Sequence, residues 1–61
     1  MYNMVNDVIG DMFSFEIDDE KQGITLVNTA TSARGETQFY PDGGDFVRMI
    51  KSMEDLGWHE E

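Results

Sequence analysis

Carboxylates are the side chains with the most chemistry to offer in this chain, and they come in runs. Glu16, Asp18, Asp19 and Glu20 form one; Glu54, Asp55, Glu60 and Glu61 form another. Paired carboxylates can act as general acid and base, and oxygen-rich runs can hold hard cations. Neither Asp18-Asp19-Glu20 nor Asp42-Gly43-Gly44-Asp45 has the alternating acids and closing glutamate of a calcium loop. Turn polarity and helix capping account for both. Asp42-Gly43-Gly44 is a poor phosphate cradle, because the flanking aspartates would repel the ligand. Ser14, Ser32 and Ser52 sit in no nucleophile motif, and the single histidine, His59, lies in a terminal segment expected to fray. A domain of this length seldom encloses a substrate pocket of roughly 300 Å³ or more. The expectation is a protein that is not an enzyme and uses no metal or cofactor.

What the carboxylates do collectively is a different matter. Thirteen acidic residues stand against four basic ones among 61, for a formal net charge of -9 and a pI near 4.1. Such a surface repels nucleic acid and anionic membranes and attracts basic protein patches. Glu54, Asp55, Glu60 and Glu61 also follow a helical pattern, where the dipole favours cations by about 0.3–1 kcal/mol each. Two causes fit the imbalance: solubility, or docking on a basic partner.

The elements that must carry these groups are legible in part. Met1, Met4, Val5, Val8, Ile9 and Met12 recur at helical spacing, with Asn3, Asn6, Asp7 and Asp11 opposite. This predicts a short N-terminal helix capped by Asn3 and ended by Gly10. Its apolar stripe would cover the domain's own sheet or contact a second copy. Phe13, Phe15 and Ile17 alternate with Ser14, Glu16 and Asp18, a half-buried strand over 12–18. A turn at 19–23 leads to a second strand, 24–31, rich in β-branched residues. A third runs over 36–40 and ends at Pro41. Phe46, Met49, Ile50, Met53 and Leu56 then mark a helix over 46–56, with Asp42 or Asp45 as cap and Gly57 as terminator. The expected fold is α+β: a three-stranded antiparallel meander with the C-terminal helix packed on one face, plus the short N-terminal helix. The expected core is Phe13, Phe15, Ile17, Ile24, Leu26, Phe39, Phe46, Met49, Ile50 and Met53. The chain reads as one small acidic domain.

In size and charge the chain is similar to small phage-encoded inhibitors of host DNA enzymes, which implies carboxylates standing in for backbone phosphates. On a strand they would recur at the pleat repeat of ~6.6–6.8 Å, against one phosphate charge per ~1.7 Å of duplex. The expected docking residues are Glu16, Asp18, Asp19, Glu20, Glu36, Tyr40, Glu54, Asp55 and Trp58, the aromatics acting as anchors. The expected partner is a protein with a basic surface, such as a nucleic-acid enzyme, with no direct nucleic-acid or membrane contact. The alternative is a homodimeric assembly subunit joined through the Met-rich N-terminus. Without cysteine, a signal peptide or a membrane span, the expectation is a cytoplasmic protein.

Overall fold

A computed structural model describes residues 1–10 and 12–61; Asp11, placed by periodicity on the polar side of an N-terminal helix, lies outside them. The chain runs β1 (Tyr2–Asn6), β2 (Phe13–Asp18), β3 (Gly23–Asn28), β4 (Arg34–Phe39), α1 (Gly43–Asp55) and β5 (Trp58–Glu60). The strands make a single antiparallel sheet in the order β4-β3-β2-β1-β5. The class is α+β as the periodicities predicted, but the sheet has five strands and there is no N-terminal helix among the described residues.

The correction at the N-terminus has a physical cause. Tyr2, Met4 and Asn6 also alternate, and a helix of about seven residues seldom pays for its own nucleation. As a strand, the segment fills its hydrogen bonds on both sides. Tyr2 pairs with Ile17 and Met4 with Phe15 on one flank, while Asn6 pairs with Trp58 and Met4 with Glu60 on the other. Asn3 therefore stands on a strand and caps nothing.

Directly paired residues share a face, which sorts the sheet. One face presents Tyr2, Ile17, Ile24 and Gln38, then Met4, Phe15 and Leu26. Helix α1 covers this side, and Met4, Ile17, Ile24, Phe46 and Met53 form the buried core, with Tyr2, Phe15, Tyr40, Ile50 and Trp58 packed around it. Four expected core residues fall elsewhere. Phe13 is half-buried and lies outside the cluster. Leu26 and Met49 are over a third exposed at the margin of the helix, and Phe39 is 54% exposed. Phe39 pairs with Gly23, opposite Asp18, so its ring lies on the open face. A Cβ at Gly23 would come within 2.9 Å of Thr37 Cγ2 and 3.1 Å of the Phe39 ring; glycine is what lets both settle there.

The helix begins three residues before its expected start. The Asp42 carboxylate accepts from Gly44 N–H at 2.7 Å and Asp45 N–H at 3.3 Å, so Gly43 and Gly44 form its first turn. It ends at Leu56, and Gly57, with φ of +98°, turns the chain into β5. Gln22 ties the β2–β3 turn to this region: its side chain donates to the carbonyls of Tyr40 at 2.6 Å and Pro41 at 3.2 Å. No helix is long and apolar enough to cross a membrane.

Candidate partner-binding surface

The residues expected to dock divide over three regions. Glu16 and Asp18 do share the open sheet face, since Glu16 pairs with Thr25 and Asp18 with Gly23. They are not a free row of carboxylates. Arg34 reaches across from β4 to Glu16 in an ion pair, and the Asp18 carboxylate accepts from Lys21 N–H at 3.0 Å to shape the turn. Glu16, Asp18, Lys21, Arg34, Thr37 and Phe39 line a depression of about 340 Å³. It is open on one side to solvent and mixed in charge, and within it the hydroxyls of Thr25 and Thr37 meet at 2.7 Å.

The second region was not legible as a unit. Tyr2 begins β1, and its phenol stands among Asp19 from the β2–β3 turn, Glu60 from β5 and Glu54 from the helix. Burial first, and then those three charges, push the phenol above its ordinary value of 10.0. Acids from the hairpin and from the C-terminal run therefore converge on one end of β1. Glu61 lies on the other side of the sheet: its backbone N–H donates to the Asn3 carbonyl at 3.0 Å, and its carboxylate accepts at 3.5 Å from the amide of Asn3, which pairs with Glu16 on the open face. The N-terminal ammonium lies 3.7 Å from Asp19. Sequence spacing could not find this group, because the pairing of β5 with β1 is what assembles it.

The remaining candidates are dispersed. Glu20 is exposed at the hairpin tip, Glu36 lies in β4, and Asp55 is exposed at the helix end. Glu36 sits where the pairing slips between Thr25–Thr37 and Val27–Arg34, an irregularity that disrupts the outer edge of the sheet. Tyr40 and Trp58 are packing residues on the helix side and do not project from an acidic face. The Tyr40 ring lies 6.3 Å from that of Phe46, and Trp58 meets Phe15 at 4.6 Å. Met4, the centre of the expected Met-rich contact, is buried in the chain's own core.

His59 is held in β5. Its Nε2 lies 2.9 Å from the Asp7 carboxylate, and that hydrogen bond raises its pKa above 6.5. Among the described residues no group of three His, Asp or Glu could hold a metal ion. No known protein family, curated protein or solved structure matches the chain.

Proposed function

We propose that this protein is a non-catalytic binding module whose acidic flank docks on a basic protein surface, inhibiting or regulating a basic or nucleic-acid-binding protein. The observation that supports this most is the convergence of Asp19, Glu54 and Glu60 on Tyr2. Asp19 from the β2–β3 turn, Glu54 from the helix and Glu60 from β5 all act on this one phenol, so three separate elements contribute negative potential to that end of the sheet. The open sheet face contributes less than its sequence promised, since Arg34 offsets Glu16. Mimicry of a nucleic-acid backbone, on this reading, rests on the Tyr2 end and the hairpin tip. We place the protein in the cytoplasm, where such basic partners are found and where a chain without cysteine needs no oxidation to fold.

The test is affinity capture from host lysate with the intact chain and with Asp19→Asn/Glu54→Gln/Glu60→Gln. The reading expects one captured protein that is lost with the triple variant and released as salt rises from about 0.05 M to 0.5 M, where exposed charges are screened. Capture that ignores both salt and the variant ends it.

A further inference from the structure

We infer that the apolar corner formed by Val8, Ile9, Met12 and Leu56 receives an apolar anchor, flanked by Lys or Arg, of the protein that the acidic flank attracts. This deepens the proposed function and rests on it. The corner is assembled by Asn6, whose side chain accepts from Val8 N–H at 3.0 Å and donates to the Leu56 carbonyl at 3.2 Å. One buried amide thus holds the β1–β2 turn beside the helix terminus. Within the turn, the Ile9 carbonyl accepts from Met12 N–H at 2.9 Å and Phe13 N–H at 3.1 Å. The polar backbone groups are turned inward to one another, and the side chains are left outside. Val8 is 90% exposed, Leu56 76% and Met12 57%. Scattered single exposures are ordinary, but large apolar side chains gathered at one corner mark contact surfaces.

Charge complementarity selects the occupant. Glu54 and Asp55 precede Leu56, the last helical turn carries no basic residue, and Asp7 before Val8 is exposed but already shares its carboxylate with His59. A second copy seated here by two-fold symmetry would bring the same acids face to face. A basic-flanked apolar segment would pair with them. The corner lies about Asn6 and the acidic group about Tyr2, the two ends of β1, roughly 13 Å apart at ordinary strand rise, and Glu54, whose charge acts on Tyr2 and which stands two residues before Leu56, lies between them. A single partner can span both.

The probe is a short amphipathic helical peptide of Leu and Lys, compared with its counterpart carrying Ala for every Leu, by titration calorimetry and amide chemical shifts. The expected result is binding of the Leu peptide about tenfold tighter than the Ala peptide. The shifts should centre on Val8, Ile9, Met12 and Leu56, and the preference should vanish in Val8→Ser/Leu56→Ser. Both side chains point into solvent, so the variant keeps the fold, which the unchanged shifts of Phe15 and Trp58 would verify. Equal, salt-sensitive binding of the two peptides would overturn the inference and leave the acidic flank standing. Binding of neither would overturn both. Concentration-dependent shifts at the corner without peptide would assign it to a second copy and overturn the basic occupant.

Discussion

Trp58 stands edge-on to Phe15, ring centroids 4.6 Å apart and planes at 68°. The contact fastens the last strand to the second on the face the helix covers. Edge-to-face aromatic pairs add about 0.5–1.5 kcal/mol beyond the area they bury. Trp58→Ala should therefore lower stability by about 3 kcal/mol, the low end for a half-buried tryptophan. Trp58→Phe should cost well under half of that. Urea denaturation followed by far-UV circular dichroism measures both; a loss under about 0.5 kcal/mol for alanine would show that β5 is held by its backbone alone.

Asn6 is buried and satisfies Val8 N–H and the Leu56 carbonyl at once. Asn6→Ala should cost about 1–3 kcal/mol, since it strands two backbone groups. The amide protons of Val8 and Gly57 should gain exchange faster than those of β2 and β3. Uniform exchange across the sheet would contradict the local role.

Gly23→Ala should destabilise by about 1–3 kcal/mol through overpacking against Thr37 and Phe39. Thr37→Ser removes the Cγ2 atom 2.9 Å from the new Cβ but keeps the hydroxyl that meets Thr25. In that background the alanine should cost less. A double-mutant cycle reads the difference, and strict additivity would refute the steric account.

The raised pKa of His59 means that the folded state holds the proton more tightly than the unfolded chain does. Its contribution to stability is complete below the ordinary value of 6.5 and is lost as pH rises through the higher folded value. Stability should decline modestly from about pH 6 to about pH 8. Asp7→Asn should flatten that part of the profile and return the His59 imidazole titration, followed by NMR, towards 6.5. An unaltered titration in Asp7→Asn would place the cause elsewhere.

How far the sequence could be read depends on whether a segment's neighbours lie close in the chain. The Phe13–Ile17 alternation and the 3–4 spacing from Phe46 to Met53 define β2 and α1 because local periodicity and final environment agree there. Tyr2–Asn6 carries two periodicities at once, and only its partners decide between them. Trp58–Glu60 is too short for any pattern and becomes a strand because β1 is there to pair with it. Phe39 was misassigned for a related reason: alternation shows that it shares a face with Thr37 but not which face, and the pairing with Gly23 settles that. The acid group about Tyr2 was hidden for the same cause, since its members lie up to 58 positions apart, as Tyr2 and Glu60 do, in the chain.

That β1 is flanked by β5 also sets an order of events. Residues 58–60 close against residues 4–6 across more than fifty positions, so hairpins that form earlier carry one bare, adhesive margin until β5 arrives. Loop closure over that span predicts slow, topology-limited folding for so short a stretch of chain.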